Sequence, residues 1–155
     1  MKQTKSTKIN EIKREWHLID AEDKILGRLS SDIALLLMGK GKTNFVRNLD
    51  LGDYVVVLNA KQVKVTGKKE KLKKYYRHSG FPGGFKSETL QELRNRRPTE
   101  IITHAVSGML PQNRLKKQML KRLYVFEGKE HNYMDKFIHS VSSEQKSEVK
   151  IEEKK

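Results

Sequence analysis

The residues best suited to chemistry in this sequence lie between Lys68 and Ser79. There Lys68, Lys69, Lys71, Lys73 and Lys74 run into Tyr75, Tyr76, Arg77, His78 and Ser79. Cations alternate with flat rings, and a turn-forming run, Gly80, Phe81, Pro82, Gly83 and Gly84, follows at once. This is chemistry of binding rather than of reaction. Lysine and arginine attract phosphates whatever the base sequence, and Tyr75 and Tyr76 can stack on unpaired bases. Gly83 and Gly84 let backbone amides approach a phosphate closely. The competing reading is a solvated, charged hairpin whose tyrosines merely pack.

Two further basic groups extend the pattern. Arg94, Arg96 and Arg97 close a helical segment, and three arginines in four residues exceed what compensation of a helix C-terminus requires. Arg114, Lys116, Lys117, Lys121 and Arg122 form the second group. Both are read as phosphate contacts. Lys40 and Lys42, with Arg47 beyond them, sit in a run from Met38 to Thr43 that partly resembles a nucleotide-binding loop ending in Gly, Lys, Thr. That motif needs a glycine where this chain has Leu36, and a strand leading in rather than a helix leading out. The run is better read as a helix C-terminus capped by Gly39, with Lys40 and Lys42 turned to phosphate.

Reactive constellations are not found. His17, His78, His104, His131 and His139 lack the short spacing that sets two metal ligands on one face. The serines sit in polar tails or beside basic loops, and nothing resembles a nucleophile elbow. Paired carboxylates for acid–base work are scarce in the basic middle. The reading is therefore a non-enzyme with no metal, no cofactor and no small-molecule substrate.

The elements that must position these groups follow from the apolar periodicity. Residues 16–20 form a short aromatic and branched run, after which Ile25, Leu26, Leu29, Ile33, Leu36 and Leu37 recur at helical spacing up to Gly39. Residues 53–59 make a nearly continuous β-branched run, the mark of a strand covered on both faces, so a βαβ unit is expected. Residues 72–78 and 85–89 are two extended pieces joined by the glycine-rich turn. Helices follow over 89–97 and 99–110, broken by Pro98, then over 115–120, with a last strand at 123–126. The alternation predicts a single layered α/β domain with a small, mainly parallel or mixed sheet flanked by helices and carrying basic hairpin extensions. It spans residues 15–139, with a flexible arm over 1–14 and a disordered, mixed-charge tail over 140–155.

The totals agree. Among 155 residues, 33 Lys and Arg face 19 Asp and Glu, a formal net charge of +14. Residues 61–122 hold 17 of the basic residues and only four acids, so they carry +13 of that charge. Such a patch points to a polyanion, nucleic acid first. The absence of cysteine rules out disulfides and thiolate sites and fits a reducing compartment. The longest apolar stretch, residues 33–38, is far short of the roughly 20 residues a membrane span needs, so no membrane partner is expected.

From Trp16 to about Asn132 the chain resembles the bacterial-type family of large-subunit ribosomal protein thirteen. The marks are Asp20 with Leu26, Gly27, Arg28 and Leu29, then Gly52, Asp53, Tyr54, Leu58, Asn59 and Ala60, then Val65, Thr66 and Gly67. Tyr75, Tyr76, Arg77, His78, Ser79 and Gly80 follow, with the Pro82, Gly83, Gly84 turn, the Arg96, Arg97, Pro98 junction, and Gly108, Met109, Leu110 and Pro111. The resemblance implies an α/β protein that binds large-subunit ribosomal RNA, joins the particle early in assembly and contacts neighbouring ribosomal proteins, without catalysis or cofactor. It also implies a cytoplasmic place in a bacterial or bacterial-type organellar ribosome. Where the family commonly has a small residue this chain has Lys116, and where a second histidine commonly stands it has Tyr133. The competing functions are an extraribosomal RNA-binding regulator or assembly chaperone, and an RNA-modifying or nucleotide-using enzyme suggested only by the partial nucleotide-loop match.

Overall fold

The computed structural model describes residues 7–137. Its centre is a three-stranded parallel sheet of β1 (Trp16–Asp20), β2 (Tyr54–Leu58) and β5 (Leu123–Val125), in the order β1-β2-β5. Helix α1 (Leu26–Met38) links β1 to its parallel neighbour β2, so the expected βαβ unit is present. Its apolar stripe, Leu26, Leu29, Ile33 and Leu37, recurs at helical spacing and is buried. The helix ends at Gly39 in the left-handed region (φ 73°), whose N–H donates to the Leu35 and Leu36 carbonyls. A side chain there would also collide with the Leu51 carbonyl, 2.8 Å from an ideal Cβ.

The long connection from β2 to β5 carries everything else. A short helix α2 (Lys69–Leu72) precedes an antiparallel hairpin of β3 (Lys74–His78) and β4 (Phe85–Thr89). Helices α3 (Leu90–Arg96), α4 (Pro98–Met109) and α5 (Lys116–Leu120) then return the chain to the sheet. Thr89 and Glu92 form a reciprocal capping box at the start of α3. Pro98 opens α4 at the position where a missing N–H costs nothing. Helix α2 lies where the sequence pattern assigned no element, apart from Leu72, the first residue of an expected extended piece. Four residues with mostly charged side chains carry too little apolar periodicity to announce a single turn of helix.

One core fills the space between the sheet, α1, α3 and α4, with Ile33, Leu37, Val55, Val57, Leu90, Leu93, Ile101, Ile102 and Val106 buried in it. Val56, between Val55 and Val57 on β2, is equally buried although it points to the other side of the sheet. That second face carries the aromatic residues. Trp16 stacks on Tyr54 (ring centroids 4.4 Å apart, planes within 10°), and Tyr124 lies 5.9 Å from Trp16. The segment after β5 folds back over them, placing Tyr133 5.3 Å from Trp16 and 4.6 Å from Tyr124, with Phe137 edge-on to Trp16 at 6.3 Å. Tyr133 thus supplies a ring to this stack, which keeps the central strand dry on both sides.

Residues 7–14, expected as an arm, run along the body. Thr7 Oγ1 donates to the Asn44 carbonyl (3.1 Å), and Arg14 donates to the Asp50 carbonyl (3.2 Å). The expected tail over 140–155 lies outside the described residues.

Candidate nucleic-acid interface

The hairpin is a two-sided ribbon. Its register pairs Lys74 with Thr89, Tyr75 with Glu88, Tyr76 with Ser87, Arg77 with Lys86 and His78 with Phe85. Because side chains alternate across a strand, Lys74, Tyr76, His78, Phe85 and Ser87 share one face, and Tyr75, Arg77, Lys86 and Glu88 the other. The two tyrosines therefore have different roles. Tyr75 is half-buried against the body, its ring 5.7 Å from that of His104 and beneath the Lys73 ammonium at 5.4 Å. Burial pushes its hydroxyl pKa up. Tyr76 is exposed and stacks on Phe85, 5.5 Å away.

The connecting turn is held by its own hydrogen bonds. Gly80 and Gly83 have φ of 88° and 71°, which glycine adopts without penalty. The Gly84 N–H donates to the Phe81 carbonyl (2.9 Å), and Ser79 N–H to the Gly84 carbonyl (3.2 Å). A Cβ on Gly84 would stand 2.0 Å from Ser79 Oγ. Gly84 is thus required for the tightness of the turn, and its amide is occupied rather than offered to a phosphate. His78 Nδ1 accepts from the Gly80 N–H at 2.9 Å, leaving Nε2 as the nitrogen available for an outside partner.

The structure divides the basic residues into two classes. Lys68, Lys69, Lys71, Lys74 and Arg77 are exposed and form no ion pair among the described residues; Lys69 reaches only Thr66 Oγ1, at 3.3 Å. Lys40, Arg47, Arg114, Lys117 and Lys121 are likewise exposed without an acidic partner among those residues. Lys116 is half-buried, donating to Gln112 Oε1 at 2.8 Å. Arg96 and Arg97 are exposed but paired, with Glu88 (2.7 Å) and Glu100 (2.8 Å).

Three residues expected on the interface are instead engaged with the protein's own carboxylates and carbonyls, Arg122 buried and Arg94 and Lys42 half-buried. Arg122 is 4% exposed, and its guanidinium forks onto both oxygens of Asp50 while reaching the Leu37 and Asp53 carbonyls at 3.4 and 3.3 Å. Arg94 donates to both Glu70 oxygens (2.8 and 3.2 Å) and to the Lys61 and Val63 carbonyls (2.6 and 2.9 Å), tying α3 to α2 and to the chain before it. Lys42 directs its three ammonium protons to the Lys13 carbonyl (2.7 Å), the Leu51 carbonyl (3.0 Å) and the Asp53 carboxylate. In each case the sequence shows a cation, but the anion or carbonyl that consumes it is distant along the chain. Phe81, Phe85 and Lys86, exposed around the hairpin, are binding candidates that the sequence pattern did not single out. The signal for Phe85 is the two-residue alternation, which sets it on the face of Tyr76 once the strands are paired.

Asp53 organises the end of the sheet nearest Lys42. Its carboxylate accepts from Glu15 N–H (2.9 Å), from His17 Nε2 (3.2 Å) and from Lys42. Burial works to raise its pKa, and these donors outweigh it, holding the carboxyl below the ordinary carboxylate value. A depressed folded-state pKa contributes stability that is present above the unfolded value and lost as pH falls through the folded one. Asp53→Asn is therefore expected to cost about 1–3 kcal/mol at neutral pH, with the deficit shrinking below pH about 4. Urea unfolding at pH 7 and at acid pH checks this; a deficit independent of pH would overturn it.

The description Ribosomal protein L13 belongs to a family model that matches residues 14–132 of this chain. The chain belongs to the ribosomal protein L13 family. It is similar to the large ribosomal subunit protein uL13 of Dehalococcoides mccartyi strain CBDB1, 54% identical over 128 residues, 83% of this chain and 90% of that protein. The protein of the same name from Lawsonia intracellularis is 52% identical over 84% of this chain and 91% of its own length. That from Legionella pneumophila strain Corby is 45% identical over 97% and 99%. The L13 match covers the whole sheet, the hairpin and helices α1 to α5, ending just before the Tyr133 ring that closes the aromatic face. Within the matched range, Asp20 accepts from Glu22 N–H (2.9 Å) and from the Asn59 amide (2.8 Å), joining the ends of β1 and β2. The backbone hydrogen bond from Glu22, followed by that of Asn59, holds the Asp20 carboxyl below its ordinary pKa.

Proposed function

We propose that this protein is a structural constituent of the large ribosomal subunit and holds large-subunit ribosomal RNA through the hairpin and its flanking lysines. The observation that carries the RNA-binding surface is the concentration, in and beside α2 and on the hairpin, of exposed cations with no ion pair among the described residues: Lys68, Lys69, Lys71, Lys74 and Arg77, with His78 and Ser79 at the turn. Arg114, Lys117 and Lys121 form a second binding group around α5, and Lys40 and Arg47 a third. Arg94, Lys42 and Arg122 shape these surfaces from within and do not themselves reach the RNA. Family membership supports a role in translation without catalysis, in the cytoplasm with the ribosome, beside neighbouring ribosomal proteins. A part in early subunit assembly fits a basic protein that binds RNA chiefly through phosphates. None of the described helices is long and apolar enough to cross a membrane.

Sedimentation of a lysate through a sucrose gradient, before and after a wash at raised salt, tests this reading. The chain is expected with the large subunit and to remain there after the wash. Recovery at the top of the gradient, or ready stripping by salt, would instead favour a transient assembly factor or regulator using the same surface.

A further inference from the structure

The hairpin holds three aromatic rings that the fold itself does not bury, two on its outward face and one at its turn. Tyr76 and Phe85 are 64% and 61% exposed, and Phe81 at the turn is 74% exposed. Tyr76 and Phe85 lie diagonally across the two strands with planes within 24°, forming a flat surface two rings long. Hairpin stability accounts for part of this, since a cross-strand aromatic pair contributes only about 0.2–1 kcal/mol. It does not account for Phe81, whose ring has no stacking partner among the described residues.

The surroundings of the rings are cationic. Lys74 shares their face, and Arg77 and Lys86 project from the other side of the same narrow ribbon without acidic partners among the described residues. The one acid of the two strands, Glu88, lies on the opposite face and is bonded to Arg96. Flat apolar surface flanked by positive charge and free of acids complements a chain of bases strung on phosphates. A duplex presents only stacked bases and cannot use the rings.

We infer that this face is a stacking platform for unpaired RNA bases: Tyr76 and Phe85 receive one or two bases, Phe81 receives a further one, Lys74 on the same face holds an intervening phosphate, and Arg77 and Lys86 on the reverse face attract the strand where it passes the edge of the ribbon. The inference rests on the RNA-binding reading above and adds to it a preference for single-stranded or bulged RNA. It reverses the expectation that both tyrosines stack, because Tyr75 is turned to the body.

The test uses the full chain with a short oligoadenylate carrying 2-aminopurine and an RNA duplex of the same length. Stacking on the rings is expected to change the 2-aminopurine fluorescence of the single strand on binding. Tyr76→Val with Phe85→Thr, which keeps strand-forming residues, is expected to weaken single-strand binding about tenfold or more and remove most of that signal. Duplex affinity and the salt slope should stay as they were. Tyr76→Phe should bind like the unaltered chain, and Phe81→Ser should lose part of the affinity. An unaltered chain that binds both RNAs without a fluorescence change overturns the platform while RNA binding stands, and leaves the rings to a protein neighbour. Equal losses on duplex and single strand also overturn it. Binding to neither RNA overturns both readings.

Discussion

Arg122→Ala is expected to destabilise the protein by about 3–5 kcal/mol, because it leaves the buried Asp50 carboxylate without its forked partner. Asp50 is 9% exposed and Arg122 4%, so water cannot take over the missing hydrogen bonds. Arg14, with Nη2 3.8 Å from Asp50, is a poor substitute. The damage spreads to the packing around Gly52, where an ideal Cβ would stand 1.7 Å from the Leu37 carbonyl and 2.9 Å from the Arg122 guanidinium. This loop and the end of α1 approach so closely that the guanidinium bridges them. Denaturant unfolding followed through Trp16, the sole tryptophan, measures the destabilisation. A value under about 1 kcal/mol, the range of an exposed pair, would overturn the assignment. The double replacement Arg122→Met with Asp50→Leu should recover much of the stability, since removing both charges removes the desolvation problem. RNA affinity of the folded fraction should be unchanged in either variant, which separates Arg122 from the cations of the hairpin.

The simultaneous replacement of Lys69, Lys71, Lys74 and Arg77 by Ala has the opposite signature. Stability should change little, since all four side chains are exposed and unpaired with acids among the described residues. Affinity for large-subunit ribosomal RNA should fall on the order of a hundredfold or more at moderate salt, and the slope of log affinity against log salt should flatten by about 0.7–0.9 for each phosphate no longer neutralised. Titration at several salt concentrations reads both quantities together. Unchanged affinity and slope would remove the hairpin from the interface and shift the assignment to the groups around α5 and around Lys40 and Arg47.

These two variants show why the number of basic residues overstates the binding surface. Arg94 and Arg97 stand close together near the end of α3, yet Arg94 is wrapped around Glu70 and two carbonyls while Arg97 is exposed. Lys40 and Lys42 flank one glycine, yet only Lys40 is exposed, because Asp53 and two carbonyls surround the other ammonium.

What the sequence by itself determined is what depends on local spacing. The stripe from Leu26 to Leu37 and the β-branched run Val55, Val56 and Val57 could be satisfied only by a helix with one buried face and a strand covered on both. Gly39, Pro98 and the glycine-rich turn mark boundaries through backbone restrictions that act within a few residues. The basic middle, the family resemblance and the hairpin were legible for the same reason. Only the tertiary structure decided the order β1-β2-β5, the covering of the aromatic sheet face by Tyr133, the engagement of Arg94, Lys42 and Arg122 by carboxylates and carbonyls distant along the chain, and the outward turn of Tyr76 against the inward turn of Tyr75. Each depends on which distant group occupies the space beside a side chain. An ammonium or guanidinium buried beside a carboxylate stays there because leaving would strand the charge that remains, and composition and periodicity carry no record of that neighbour.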